Sequence, residues 1–166
     1  MSNPFSIVSE SPEHTRAIGV ELGRRLRGRD VICLSGDLGA GKTWLTGGIA
    51  QGWGAQEAVH SPTFVFIHIH HHINDPRKQL YHVDCYRLTS EADAESIGLV
   101  DLLNGDDVVI LEWPERVMDL LPADRLWIDL DPDDRDPDSR RVISFSGMGK
   151  RYETLLMELR VALTSR

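Results

Sequence analysis

The residues best placed by type and spacing to do chemistry are Gly36-Asp37-Leu38-Gly39-Ala40-Gly41-Lys42-Thr43, which fill the pattern G-x-x-x-x-G-K-[ST] completely. Glycines let a backbone turn its N–H groups inward around phosphate oxygens. A helix starting at the loop adds the partial positive charge of its N-terminus. The Lys42 ammonium reaches β- and γ-phosphates, and the Thr43 hydroxyl is a ligand for Mg2+. An apolar run, Val31–Leu34, precedes the loop, and a helical pattern follows it to about Trp53, closed by Gly52 and Gly54. The loop is therefore expected to be a nucleotide site.

Such a loop needs acidic partners at the end of a neighbouring strand. Asp84 follows Leu80–Val83, and Glu112 follows the fully apolar Val108–Leu111. Ligands of open α/β sheets gather at strand C-terminal ends, which suits both carboxylates. One would hold the metal and the other orient an attacking water, with Glu112 favoured as ligand for the more buried strand behind it. The alternative for Asp84 is a cap or an ion pair with Arg87. Ser61-Pro62-Thr63-Phe64 lies between the loop's helix and the next strand, where a hydroxyl of Ser61 or Thr63 would sense the γ-phosphate or Mg2+. The same residues also read as an ordinary start to a strand.

The elements that position these groups follow from periodicity. A helix is expected from Pro12 to about Leu26, capped by Ser11, with Ile18, Leu22 and Leu26 on one face. Phe64–His72 alternates as a half-exposed strand, turns at Asn74-Asp75-Pro76 and returns as Leu80–Tyr86. Glu91–Leu103 reads as short helices broken near Gly98, and Val108–Leu111 as a central strand. Pro114–Leu121 reads as a helical turn, Leu126–Leu130 and Arg141–Phe145 as strands around the acidic loop Asp131–Asp138, and Gly149–Leu163 as a helix. Helices and strands alternate at first and strands then cluster, which describes an α/β domain with a mixed sheet.

Composition narrows the class. The chain has 166 residues, 41% hydrophobic and 27% charged, the size and balance of one globular domain. Its longest apolar run is far short of the ~20 residues of a membrane span. No basic stretch followed by an apolar one opens the chain, and Cys33 and Cys85 are too few for a disulfide framework. A reduced, cytoplasmic protein with no membrane partner is expected. Eighteen Lys and Arg against 26 Asp and Glu, a net charge of −8, argue against a grip on nucleic acid by this chain alone.

The motifs GDLGAGKT (36–43), SPTF (61–64), YHVDCYRL (81–88) and EWPER (112–116), in this order and spacing, resemble the TsaE family from about residue 11 to about 130. The resemblance implies a P-loop NTPase-like three-layer α/β domain over 1–166 with a mixed central β-sheet. It implies a bacterial accessory ATPase of tRNA threonylcarbamoyladenosine (t6A) formation that binds ATP and Mg2+ and hydrolyses ATP slowly by itself. Its partners would be TsaB and TsaD, with TsaD the transferase and tRNA met only through the pair. By matching motifs it implies Lys42 and Thr43 as phosphate and Mg2+ ligands, Thr63 as a switch residue and Asp84 as a catalytic or metal-associated acid. It further implies Glu112 as a Mg2+ ligand and Trp113 as a residue beside the nucleotide.

Other readings compete. A small-molecule kinase would share the loop, but its closing segment should be rich in arginine, and the one arginine-bearing candidate, Arg135–Arg141, carries Asp136 and Asp138 and continues the acidic run that begins at Asp131. A guanine-reading switch protein needs Asn-Lys-x-Asp, and no lysine here follows an Asn. His68, His70 and His72 share one strand face, expected to be a solvent-facing edge in preference to a metal site. Trp44 and Trp53 are expected to pack, and Cys33 to be a core residue.

Overall fold

The computed structural model describes residues 4–56 and 66–165. Seven strands form one sheet: β1 (Phe5–Ser9), β2 (Val31–Ser35), β3 (Ile67–His71), β4 (Gln79–Asp84), β5 (Val108–Glu112), β6 (Arg125–Pro132) and β7 (Arg141–Met148). Their spatial order is β1-β7-β6-β2-β5-β4-β3. The centre, β6-β2-β5-β4, is parallel, and the flanking pairs β6–β7, β7–β1 and β4–β3 are antiparallel, so the sheet is mixed. Parallel strands covered on both faces must be apolar throughout, and β2 and β5 are buried at nearly every position.

Helices cover both faces. The helices α1 (Pro12–Gly23), α2 (Lys42–Trp53) and α5 (Lys150–Thr164) pack on one face, where Ile18, Leu22, Leu45, Ile49, Leu155 and Leu159 meet Ile32, Leu34, Leu80, Ile110 and Ile128. The short helices α3 (Glu91–Ser96) and α4 (Leu99–Leu103), with the 3-10 segment Pro114–Leu120, lie on the other. This is the expected three-layer arrangement. The expected α1 boundary shifts: Ser11 does cap it, its Oγ accepting from His14 N at 3.0 Å, but the helix ends at Gly23, not near Leu26. The return strand likewise stops at Asp84, because the Asp84 carboxylate accepts from the Tyr86 N–H and turns the chain there. Strand β1 was not expected from the sequence; it pairs only with β7 at the sheet's edge.

The packing of α1 against α2 fixes where the helix after the loop lies. A Cβ on Gly48 would sit 2.0 Å from the Arg16 carbonyl oxygen, so the backbones approach too closely for any side chain. Gly48→Ala gains about 1 kcal/mol of helix propensity, which the overlap outweighs. We expect a net loss of about 1–3 kcal/mol, seen as a lower thermal unfolding midpoint. Helix α5 is tied on by polar contacts at the start of β2. The Val31 N–H donates to Tyr152 Oη at 2.8 Å, and Arg151 pairs with the nearly buried Asp30 at 2.7 Å.

The histidine strand corrects an expectation. His70 is 5% exposed whereas Ile69 is 49% exposed, so the histidine face is the inner one. His68 and His70 lie opposite His82 and Leu80, and Leu80 belongs to the core beneath α1 and α2. Ile69, on the other face of an edge strand, is left half bare. Among the described residues no group of three or more His, Cys, Asp or Glu is arranged to hold a metal. Cys33 and Cys85 are buried and free, and burial pushes both thiols up to about 12, which keeps them protonated and unreactive. Among the described residues no helix is long and apolar enough to cross a membrane.

Candidate functional site

Register brings the sequence candidates together. Asp84 pairs with Glu112, and Leu34 pairs with Glu112 from the other side. Parallel strands start and stop together here, so both carboxylates and the loop after Ser35 emerge at the C-terminal edge of the sheet. The loop then enters α2 through Gly41, at φ +101°, with no side-chain cap on the helix N-terminus. That conformation favours glycine. It leaves the first-turn N–H groups open to an anion. A cleft of about 350 Å³ results, lined by Leu38, Gly39, Gly41, Lys42, Thr43, Trp44, Asp84, Glu112 and Trp113. A second cleft of about 360 Å³ lies at the opposite end of the sheet, around Arg24, Trp53 and Asp107. It has the volume but neither the glycine-rich turn nor the open helix end.

Lys42 is the centre of the first cleft. It is 6% exposed. Its Nζ donates to the Gly36 carbonyl at 2.6 Å and lies 4.0 Å from the centroid of the Trp113 ring, a cation–π arrangement. Burial lowers the pKa of this ammonium, against the upward pull of Glu112, Asp84, Glu115 and Asp37. Trp113 reaches this position through an unusual backbone, φ 58° and ψ 50°. A left-handed non-glycine residue costs about 1–3 kcal/mol. Its ring also packs on Tyr86, centroids 4.9 Å apart. Ser35 Oγ donates to Glu115 beneath the loop.

Glu112 is 5% exposed and accepts from His82 Nε2 at 2.8 Å. His82 Nδ1 has no hydrogen-bond partner among the described residues, so the ring proton belongs on Nε2. Burial pushes the Glu112 carboxyl up, but the hydrogen bond from His82, with the Lys42 ammonium, outweighs it. The group is held below the usual carboxylate range. A buried carboxylate kept ionised, beside a half-buried Asp84 and the exposed Thr43 hydroxyl, is a set of hard oxygen donors that fits Mg2+. The Asp84 side chain accepts from the Tyr86 N–H at 3.0 Å.

The other expected site residues fall as follows. Asp37 is exposed and its carbonyl closes the turn by accepting from Ala40 N at 3.0 Å, while Ala40 itself is buried. Leu38 is 76% exposed at the loop's crest. Ser61 and Thr63 lie outside the described residues. Trp44, expected to pack, is 44% exposed on the cleft's rim, whereas Trp53 does pack, edge-on to His72. Two residues were missed. His82 was legible, since it precedes Asp84 by two in a strand and so shares its face. Arg141 was not: it donates to the Gly39 and Ala40 carbonyls from far along the chain. The acidic loop is also more than a solvated turn, because Asp133, 6% exposed, binds Arg135 and Arg140.

The fold is a three-layer α/β domain of P-loop NTPase-like architecture with a mixed seven-stranded sheet, and the cleft lies at the C-terminal edge of its parallel strands. The family model described as "Threonylcarbamoyl adenosine biosynthesis protein TsaE" matches residues 9–142. The tRNA threonylcarbamoyladenosine biosynthesis protein TsaE of Bacillus subtilis is 40% identical over 149 residues, 90% of this chain and 89% of the relative. The Streptomyces coelicolor protein of the same name is 39% identical, over 84% and 94% of the two chains. The crystal structure of Bacillus subtilis YdiB superposes with a TM-score of 0.79 at 33% identity, covering 99% of each chain. The chain belongs to the TsaE family.

Proposed function

We propose that this protein binds ATP with Mg2+ at the 36–43 loop, hydrolyses it slowly, and thereby serves tRNA threonylcarbamoyladenosine formation as an accessory ATPase of a TsaB–TsaD pair. The role in that biosynthesis rests on family membership. The ATPase reading rests on one observation above others: a nearly buried ammonium, Lys42, faces two carboxylates and an uncapped helix N-terminus in a single cleft. That arrangement suits a group that is both polyanionic and metal-bound.

Lys42 would leave the Gly36 carbonyl for the β- and γ-phosphates, and the loop N–H groups would hold the phosphate oxygens. Thr43, Glu112 and Asp84 would hold Mg2+, which when bound neutralises charge on the phosphates. Whichever of Asp84 and Glu112 is not a direct ligand would orient water for in-line attack on the γ-phosphorus; the P–O bond to ADP breaks and the water proton leaves with the carboxylate or solvent. Trp113 shields the ammonium from bulk water. The net charge of −8 leaves tRNA contact to the partners.

The test is phosphate release from ATP by the purified protein, alone and with a TsaB–TsaD pair, with Lys42→Ala as blank. Slow release that rises with the pair supports the reading. Release indifferent to the pair leaves an ATPase with a different partner, and no release under either condition overturns the ATPase assignment.

A further inference from the structure

We propose that Arg141 is a positioning residue of the phosphate-binding loop, holding its crest in the anion-binding shape from the far edge of the acidic 133–140 turn. This rests on the reading that the loop binds a nucleotide.

The crest lacks the packing that normally fixes a loop. Leu38 is 76% exposed, and beyond its chain neighbours no described residue comes within 4 Å of where a Cβ on Gly39 would be. Two glycines with positive φ, Gly39 at +81° and Gly41 at +101°, add conformational freedom. Arg141 supplies the missing restraint. Its Nε donates to the Ala40 carbonyl at 3.0 Å and its Nη2 to the Gly39 carbonyl at 3.1 Å. Peptide units are planar and trans, so fixing a carbonyl fixes the opposed N–H of the next residue. The Gly39 carbonyl thus sets the Ala40 N–H, which closes the turn on Asp37 O at 3.0 Å. The Ala40 carbonyl sets the Gly41 N–H at the uncapped helix entrance. Only a guanidinium has the planar fork to serve both carbonyls while holding others.

Arg141 is itself braced. Its Nη1 donates to Pro137 O at 2.7 Å and Arg140 O at 2.9 Å, and its backbone opens β7 opposite Ser9 and Pro132. The turn carrying those carbonyls is closed by Asp133, whose carboxylate takes Arg135 Nη2 at 3.2 Å and Arg140 Nε at 3.1 Å. Asp133 lines none of the nucleotide cleft, so any effect it has on the nucleotide must pass through this strut.

The experiment is calorimetric ADP and ATP binding by the full chain, with KM and kcat for ATP, for the wild type, Arg141→Ala, Arg141→Lys, Asp133→Ala and the double alanine variant. Losing two loop hydrogen bonds should weaken nucleotide binding by about tenfold, with KM rising more than kcat falls. Arg141→Lys, with the charge but not the fork, should stay close to Arg141→Ala. Asp133→Ala should weaken binding less and add nothing in the double variant. Millimolar guanidinium should restore affinity to Arg141→Ala and not to the wild type. If Arg141→Ala does not fold, Arg141→Lys and Asp133→Ala carry the test. Nucleotide affinity unchanged in the variants, or lost only in proportion to a lower unfolding midpoint, overturns the inference and leaves the nucleotide reading standing. A wild type that binds neither ADP nor ATP overturns both.

Discussion

Lys42→Ala is expected to abolish nucleotide-dependent activity while leaving the fold intact. The ammonium is 6% exposed, held 2.6 Å from the Gly36 carbonyl and 4.0 Å from the Trp113 ring centroid. It is thus oriented before any phosphate arrives, and burial has already stripped much of its water. An electrostatic donor preorganised in this way is worth about 10²–10³ in rate when one is removed. The stability effect points the other way. Burial works against the charged form of Lys42, so deleting the group relieves a desolvation penalty. Phosphate release should therefore fall by at least about 10², with an unfolding midpoint equal to or above that of the wild type. Turnover within tenfold of wild type would remove Lys42 from the centre of the site.

Glu112→Gln is expected to separate binding from turnover. Alanine would be a poor probe, because it would strand the His82 Nε2–H in a buried place at a cost of about 1–3 kcal/mol. Glutamine keeps an acceptor for that donor and removes only the charge. ADP affinity without Mg2+ should stay within a few-fold of wild type, while the gain in affinity on adding Mg2+ shrinks and turnover falls by about 10²–10⁴. Calorimetry with and without Mg2+ reads the first pair of outcomes and phosphate release the third. Turnover untouched in this variant would mean that the carboxylate role belongs to Asp84.

The amino-acid sequence by itself determined the parts governed by local rules. The glycines and lysine of 36–43, the apolar runs 31–34 and 108–111, the Ser11 cap and the break at Gly98 each act over a few residues, where backbone sterics and side-chain periodicity decide the outcome. The acids at the strand ends were legible for the same reason, since a parallel sheet presents its functional edge at a predictable side. Tertiary structure decided what periodicity cannot. Alternation showed that His68 and His70 share a face, but only the core beneath α1 and α2 made that face the buried one, with His70 at 5% and Ile69 at 49% exposure. Strand β1 exists because β7 offers it an edge, not because five residues demand it. Arg141 reaches the loop across 101 residues of chain, and His82 meets Glu112 across 30. A period fixes which side chains point the same way; which of them meet, and which are shut from water, depends on what the rest of the chain brings against them.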